Sequence, residues 1–346
     1  MARVDLTVMG AGIFGLACAW AATRRGAKVR VIEATAIGAG SSGGLVGALA
    51  PHMPENWNPK KQFQLESLLM AASYWDEVAK VSGLSPGYAR TGRWQVLATD
   101  EAVSRAEARR DEAALLWKGQ AEWRVVDCQG RDWEPVSPTG KLIEDTLTAR
   151  LHPRQAGAAL VAAISAKGGE VIVGEAQPEG LVIWATGFAG LQALNADLGK
   201  KVGAGVKGQS ILLRHNAANQ PQIYAPGLHV VPHEDGTVAI GSTSENDWVE
   251  ASSVDKQLDE LWENALAVCP ALEKAPVLKR WAGVRPRARS RAPMLGQWPG
   301  RDGHFIANGG FKIGFGMAPK VGEVMADLVL EGHDTIPNGF RVEDSL

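Results

Sequence analysis

An arginine-rich segment, KRWAGVRPRARSR at residues 279–291, raises the first chemical question about this chain. Six of its residues are basic and none is acidic. A guanidinium group can bind a carboxylate at two points, and a row of such groups can bind the phosphates of a nucleic acid. By itself the segment is compatible with a nucleic-acid surface, an anchor for an anionic substrate, or a solvent-exposed strand. Because the net charge of the chain is −2, any basic region must act locally.

A glycine-rich turn near the N-terminus has the spacing of a dinucleotide-binding site. The segment GAGIFG begins at Gly10, directly after an apolar strand and directly before an alanine-rich helix. In this context Gly10 permits the tight turn, Gly12 lets a diphosphate approach the backbone, and Gly15 packs the helix on the strand. The free N–H groups at the start of the helix favour an anion. Glu33 ends the next strand, where its carboxylate can accept hydrogen bonds from a ribose.

Two further glycine-rich segments favour FAD over NAD. Small residues over 38–48 allow the backbone to pass flat against a large cofactor, and Ser41 and Ser42 can donate to its diphosphate. The C-terminal segment ANGGFKIGFGMAP forms another turn that opens a helix, which suits a ring edge and an anion. A second match to the glycine pattern, GAGVKG at 203–208, precedes a strand rather than a helix, so we predict no phosphate site there.

The elements around these residues predict an α/β fold, α+β overall. Apolar strands at 3–9 and 28–34 flank the first helix and form a βαβ unit, and after Val206 the chain is mainly β. We therefore predict a Rossmann-like FAD-binding domain with an inserted, mostly antiparallel β-sheet domain for the substrate. The FAD-binding domain is expected to comprise residues 1–84, 148–203 and 299–346, and the substrate-binding domain residues 85–147 and 204–298.

Composition excludes several function classes. The 346 residues, 45% apolar and 21% charged, suit two packed globular domains. The three cysteines, Cys18, Cys128 and Cys269, lie far apart and form no CxxC pair, so neither a metal site nor a disulfide reductase is expected. No apolar run approaches the ~20 residues of a membrane span, and the N-terminus lacks the apolar core of a signal peptide. We expect a reduced, cytoplasmic protein.

Motifs along nearly the whole chain resemble the D-amino acid oxidase/glycine oxidase (DAO) family of FAD enzymes, which includes sarcosine oxidases and related dehydrogenases. The matching segments, in family order, are GAGIFG, IEATAIGAGSSG, VGALAPH, HPRQAGAALVAA, VIWATG, VKGQ, VVPHEDGTVAIGSTSE, WAGVRPRARSRAPMLG and GGFKIGFGMAP. The resemblance is closest to the glycine oxidase branch. It implies FAD as cofactor, and the lack of a cysteine near 308–316 implies that the flavin is not covalently linked.

The resemblance also assigns cofactor residues. Ile13 and Phe14 would line the diphosphate together with the glycines of the first turn, and Ser41 and Ser42 would contact it. The other cofactor residues are assigned by the part of FAD that they would contact: the ribose (Glu33, Ala34), the underside of the flavin (Val46, Gly47, Ala48), adenine (Ala176, Gln177) and the pyrimidine edge of the flavin (Gly310, Phe311, Lys312, Ile313, Gly314, Phe315, Gly316). Gly187, the glycine after the VIWAT strand, is also assigned to the cofactor site.

For the substrate, the resemblance singles out Arg285, the arginine of WAGVRP, as the anchor of a carboxylate. Lys312 stands where glycine oxidases carry a second arginine, and His52 could face the same pocket. Arg287, Arg289 and Arg291 are expected on an outer, electropositive rim. The chain departs from the family pattern at two positions. Ser290 stands where many relatives have an acidic residue, and Gly310 stands where they usually have a histidine. These departures leave the identity of the substrate open.

The reaction implied by the resemblance is oxidation of the C–N bond of a small amino acid or secondary amine, of the glycine, sarcosine or D-amino acid type. Hydride passes to the flavin and the imine then hydrolyses, with O₂ or another electron acceptor completing the cycle. Such a reaction depends on position more than on an acid–base residue. The alternative is a flavin-dependent tRNA wobble-uridine modification enzyme that acts on a carboxymethylaminomethyl group, with residues 279–291 as its RNA surface. Stereochemistry, acceptor and oligomeric state stay open.

Overall fold

A computed structural model describes residues 4–346 and contains, within them, 16 strands and seven α-helices. The strands in chain order are β1 (Leu6–Met9), β2 (Val29–Glu33), β3 (Ala48–Leu49), β4 (Arg93–Val96), β5 (Trp123–Asp127), β6 (Lys141–Asp145), β7 (Ala149–Arg150), β8 (Glu170–Val173), β9 (Leu181–Trp184), β10 (Gly203–Arg214), β11 (Gln222–Ala225), β12 (Leu228–Pro232), β13 (Thr237–Gly241), β14 (Val277–Ala288), β15 (Met294–Gln297) and β16 (His304–Asn308). The helices are α1 (Ile13–Arg24), α2 (Pro59–Ser82), α3 (Asp100–Trp117), α4 (Pro153–Ala166), α5 (Gly187–Leu198), α6 (Lys256–Val268) and α7 (Gly314–Glu331).

The six-stranded sheet has the order β15-β16-β9-β1-β2-β8, with β15 antiparallel to β16 and the other pairs parallel. Helices α1, α5 and α7 follow the carboxyl ends of β1, β9 and β16, so all three begin at the same edge of the sheet. The small and apolar residues of α1 are nearly all buried. A Cβ on Gly322 of α7 would lie 2.5 Å from the carbonyl oxygen of Ala17, which shows how closely these helices pack.

The eight-stranded sheet has the order β14-β10-β13-β12-β11-β4-β6-β5. Its pairs are antiparallel except for β11 with β4. The two 12-residue strands, β10 and β14, pair along most of their length. Helix α6 packs on β10, β12 and β13. A two-stranded ribbon of β3 and β7 completes the β-structure. The predicted fold class, α/β with a second and mostly antiparallel sheet, is confirmed.

Several local predictions agree with these elements. The helix predicted at 58–83 is α2, whose first turn donates to the Asn58 side chain and whose end, Gly83, has a φ of 71°. The rejected glycine motif at 203–208 lies inside β10. Within residues 4–346 no helix is long and apolar enough to cross a membrane.

One sequence-based assignment needs correction. Residues 294–297 were assigned to the substrate-binding domain, but they form β15 at the edge of the six-stranded sheet, paired with β16 from Met294↔Asn308 to Gln297↔Phe305. The predicted change of domain at residue 298 therefore lies too far along the chain. The sequence places β15 only a few residues after the basic segment, which belongs to the eight-stranded sheet, so the prediction assigned both to the same domain.

Candidate active site

A cavity of about 1520 Å³ connects the carboxyl edge of the six-stranded sheet with one face of the eight-stranded sheet. It exceeds the roughly 300–1,000 Å³ of an ordinary small-molecule site. The first sheet contributes the residues that follow β1, β2, β9 and β16, and the second contributes side chains from β10, β11, β12 and β14. The volume therefore has room for a large cofactor together with a substrate.

The first glycine turn forms one wall of the cavity. Gly10 has a φ of 101°, and a Cβ there would lie 2.6 Å from the carbonyl oxygen of Ala185. A Cβ on Gly15 would overlap the carbonyl oxygen of Gly10, so Gly15 serves helix–strand packing and does not line the cavity. Gly12 and Phe14 do line it. Geometry thus requires glycine at positions 10 and 15, whereas a Cβ on Gly12 would lie 3.2 Å from the Ser42 hydroxyl oxygen, at the cavity surface.

Three helices begin at the cavity without a side-chain cap. The N-cap residues of α1, α5 and α7 are Gly12, Thr186 and Ile313, and none of their side chains accepts a hydrogen bond from the helix that it precedes. All three residues line the cavity. Uncapped first turns carry a partial positive charge, so this end of the cavity attracts anions.

Polar side chains complete this wall. Ser42 accepts a hydrogen bond from the N–H of Ile13 at 2.9 Å, which leaves its own hydroxyl proton free to donate. The Glu33 carboxylate accepts from the N–H groups of Ala11 at 2.9 Å and Thr35 at 3.1 Å. These bonds fix the carboxylate at the end of β2, where it lines the cavity beside the segment that follows β8.

The C-terminal turn lines the cavity over its whole length, residues 310–316. The N–H of Phe311 donates to the carbonyl of Pro286 at 3.0 Å, which ties the turn to β14. Phe311 has a φ of 45°, an uncommon conformation for a residue with a side chain. A Cβ on Gly310 would lie 2.8 Å from the Phe14 ring, so the two glycine-rich turns are in contact.

Arg285 on β14 is buried in the cavity wall, with 8% of its surface exposed. Among the arginines and lysines that line the cavity, Arg93 is more deeply buried. Its Nη1 donates to the carbonyl of Thr243 at 3.2 Å. The guanidinium lies directly over Gly208 of β10, where a Cβ would overlap it. Burial lowers the pKa of Arg285 to about 10, and the nearby Glu245 carboxylate opposes that shift. The group therefore carries its positive charge at neutral pH.

A buried polar network fixes Glu245 behind this arginine. Gln209 Nε2 donates to Glu245 Oε1 at 3.0 Å, and Lys207 Nζ lies 3.5 Å from Glu245 Oε2. Neither Glu245 nor Lys207 lines the cavity. The negative charge thus supports Arg285 from behind and leaves the cavity side of the guanidinium available for an anion.

Lys312 and His52 line the same cavity. Lys312 is exposed as a whole, but its partial desolvation at the cavity wall, with a smaller effect of the positive charge of Arg285, lowers its pKa. His52 contacts the side-chain oxygen of Gln64 through Nδ1 and through its backbone N–H. Burial also lowers the pKa of His52, so the ring is neutral at neutral pH. The structure thus brings all three residues of the predicted substrate site into one cavity.

Comparison with known proteins identifies the family. A model of the DAO family, described as FAD dependent oxidoreductase, matches residues 5–328. The chain belongs to the DAO family. It is 25% identical to glycine oxidase from Geobacillus kaustophilus (strain HTA426), over 94% of this chain and 93% of that protein. The crystal structure of glycine oxidase from Geobacillus kaustophilus superposes with a TM-score of 0.86 at 21% identity, covering 99% of both chains. The crystal structure of iminodiacetate oxidase from Chelativorans sp. BNC1 superposes with a TM-score of 0.83 at 21% identity, covering 97% of this chain and 98% of that chain.

The cavity suits FAD, the cofactor of the DAO family. Uncapped helix starts and bare glycine backbone accommodate a diphosphate, and the Glu33 carboxylate lies where a ribose can bind. Every predicted cofactor residue lines the cavity except Gly15 and Gly47. A Cβ on Gly47 would overlap the carbonyl oxygen of Leu151, so this glycine allows close packing beside the β3–β7 ribbon. Cys18, Cys128 and Cys269 are all free and do not line the cavity.

The sequence analysis missed several residues of this DAO-family site. Arg93, Tyr224 and His229 line the cavity from β4, β11 and β12. Gln64, which also lines the cavity, contacts His52, and Gly208 lies beneath the Arg285 guanidinium. The available signals were weak: a charged residue inside the apolar strand around Trp94, and a glycine in the VKGQ segment. The positions of these residues in the site depend on strand pairings that join distant parts of the chain, and no local sequence pattern predicts those pairings.

Proposed function

We propose that this DAO-family protein oxidises the C–N bond of a small amino acid or secondary amine that carries a carboxylate. The observation that supports this most is the buried guanidinium of Arg285, which lines the cavity beside the C-terminal turn and has its counter-charge, Glu245, on the other side. FAD, when bound, accepts a hydride from the carbon next to the amine nitrogen and passes the electrons to O₂ or another acceptor.

In this proposal the protein contributes position. Arg285 binds the substrate carboxylate at two points and so fixes the carbon beside it. Lys312 lines the same cavity and adds positive charge there. His52 is neutral and oriented by Gln64, which suits contact with an uncharged part of the substrate. The imine product then hydrolyses in water.

The proposed division of labour follows the two sheets. The residues proposed to hold FAD are the cavity-lining members of the predicted set, from the turns after β1, β2, β9 and β16 and from the segments 41–48 and 176–177. The eight-stranded sheet is proposed to form the substrate side. We also propose a cytoplasmic location, since the three cysteines are free.

The tRNA-modifying alternative is less favoured, because the basic residues of 279–291 do not share one surface. Arg285 is buried in the cavity wall, Arg280 pairs with Asp259 at 2.7 Å, and Arg289 donates to the carbonyl of Leu346 at 2.7 Å. A phosphate-binding surface needs its basic groups exposed side by side.

The direct test is to purify the protein with its flavin and follow anaerobic bleaching with glycine, sarcosine, proline and D-amino acids. We expect at least one of these carboxylate-bearing amines to reduce the flavin. Reduction by none of them would refute the proposal in this form. A salt-sensitive complex with tRNA at physiological ionic strength would instead favour the alternative.

A further inference from the structure

A second arginine lines the cavity on a strand far from that of Arg285. Arg93 stands on β4, and four strands separate β4 from β14 in the eight-stranded sheet. It is 4% exposed, and its Nε donates to Asp145 Oδ2 at 2.8 Å. Asp145 Oδ1 accepts from the N–H of Thr148 at 2.8 Å. These bonds orient the guanidinium, yet its Nη2 has no hydrogen-bond partner among residues 4–346.

Two cavity-lining rings stand beside this guanidinium. Arg93 Cζ lies 5.4 Å from the centre of the Tyr224 ring, and the Tyr224 and His229 rings are 4.9 Å apart. Tyr224 and His229 are directly paired residues of β11 and β12, so their side chains share one face of the sheet. His229 Nδ1 is also buried without a partner in the described part of the chain. Both atoms are almost fully shielded in this conformation, so a ligand contacts them only when the side chains move slightly, and leaving them without partners costs free energy.

The charges of the cavity wall are separated between its ends. Its acidic residues, Glu33 and Glu175, follow β2 and β8 at the proposed adenosine end. Its basic residues, Arg93, Arg285 and Lys312, surround His229, whose pKa is lowered to about 3 by burial and then by these three charges. A substrate with one carboxylate would pair with Arg285 and leave Arg93 with Asp145 alone as its anionic partner among residues 4–346.

We propose that Arg93, Tyr224 and His229 form a second anion-binding site, and that the substrate is an amine with a second carboxylate on a flexible arm. This rests on the proposed function, since the first carboxylate is placed at Arg285. Strands β14 and β4 are five steps apart in the sheet, and at ~4.8 Å per step their backbones are separated by roughly 24 Å, so an acid the size of glycine held at Arg285 cannot also contact Arg93. The arm must therefore contain several atoms between the amine nitrogen and the second carboxylate.

The test uses a series of N-(ω-carboxyalkyl)glycines with three to ten methylene groups in the arm. Each acid is compared with the amide of the same length, which keeps the size of the arm and removes its charge. Anaerobic flavin reduction gives kcat/KM for each pair. At the best arm length we expect the acid to exceed its amide by at least about tenfold, in line with a hydrogen-bonded charge pair.

A binding measurement makes the test independent of turnover. In the ether analogues, oxygen replaces the amine nitrogen, so they cannot be oxidised at that position. Their binding to the FAD-loaded protein is followed by perturbation of the flavin spectrum or by calorimetry. We expect the ether diacid of the best length to bind at least about tenfold more tightly than its monoamide.

The matched variants assign the effect to Arg93. The double variant Arg93→Met, Asp145→Asn removes both charges of the buried pair together, so neither charge is left alone. We expect it to reduce the preference for acid over amide to less than about threefold. The control, Arg280→Met with Asp259→Asn, removes a solvent-exposed ion pair between β14 and α6 that does not line the cavity, and it should retain the preference.

The outcomes separate the two proposals. If amines are oxidised but no acid exceeds its amide in turnover or binding, the second site is refuted and the proposed function stands. If the preference persists in the Arg93 double variant with its flavin retained, the site lies elsewhere. If no amine reduces the flavin, the proposed function fails, and binding of the ether diacids still decides whether the second site exists.

Discussion

At the residue scale, Arg285 depends on a space that only glycine provides. Its guanidinium lies over Gly208, where any side chain would overlap it, while Glu245 compensates its charge from behind. The sequence motif identified Arg285, since its place in WAGVRP is specific. The role of Gly208 could not be predicted, because β10 and β14 are about 70 residues apart in the chain and their register sets which glycine lies beneath the arginine.

We expect Gly208→Ala to displace the Arg285 guanidinium and to lower kcat/KM for a carboxylate-bearing amine by at least about 30-fold, the loss for a truncated buried charge contact of about 2 kcal/mol. FAD should stay bound, since Gly208 does not line the cavity. Steady-state kinetics and the flavin spectrum measure both effects. The control is Gly157→Ala in α4, where the nearest atom to the new Cβ is 3.9 Å away. Unchanged kinetics in Gly208→Ala would show that the arginine does not require this space.

At the element scale, the FAD end depends on how α1 and α7 pack. Both helices begin at the cavity and both follow parallel strands of the six-stranded sheet, as the βαβ pattern and the C-terminal glycine turn predicted. Their mutual position is set at Gly322 and Ala17. Sequence periodicity predicts each helix separately. It does not predict the contact between them, because α1 and α7 lie near opposite ends of the chain. The edge strand β15 was misassigned for a different reason: it follows the basic segment of β14 directly, yet it pairs with the next strand, β16, and so belongs to the six-stranded sheet.

The variant Gly322→Val should force α1 and α7 apart. We expect a loss of about 1–3 kcal/mol in the free energy of unfolding, the usual cost of overpacking, and weaker retention of FAD because the starts of both helices move. Urea unfolding and the flavin content after gel filtration provide the measurements. Full stability and full flavin content would contradict the importance of this contact. Gly157→Ala again serves as the control.

At the scale of the whole molecule, two sheets enclose one cavity whose ends differ in charge. The sequence predicted both sheets and most of the residues that line the proposed FAD end of the cavity, since those residues lie in contiguous motifs. The substrate end gathers single side chains from β4, β11, β12 and β14, and no local pattern marks them. Enclosure by the two sheets also buries neutral histidines, including His229 and His233, with pKa values lowered chiefly by burial to about 3 and about 4.

These two histidines should make the folded protein less stable in acid. Their folded pKa values lie below the unfolded value of 6.5, so the unfolded state binds protons first as pH falls below 6.5. Each ring should therefore remove about 2 kcal/mol of stability between pH 7.5 and pH 5. We expect His233→Gln to lose less stability over this range, by about that amount, in urea unfolding with excess FAD. The exposed His333→Gln should behave as the parent does, and an equal loss in all three proteins would exclude His233 as a source.

We propose that Arg285 places a carboxylate-bearing amine for oxidation by FAD. Anaerobic flavin reduction by sarcosine and by dimethylamine, which lacks the carboxylate, is compared in the parent protein and in Arg285→Ala. If sarcosine is outside the substrate range, the best amine of the panel and its decarboxylated analogue take its place. We predict that the carboxylate raises kcat/KM by at least about 30-fold in the parent and by little in the variant, with FAD bound in both. Equal reduction by both amines, or an unchanged preference in Arg285→Ala, would contradict the claim.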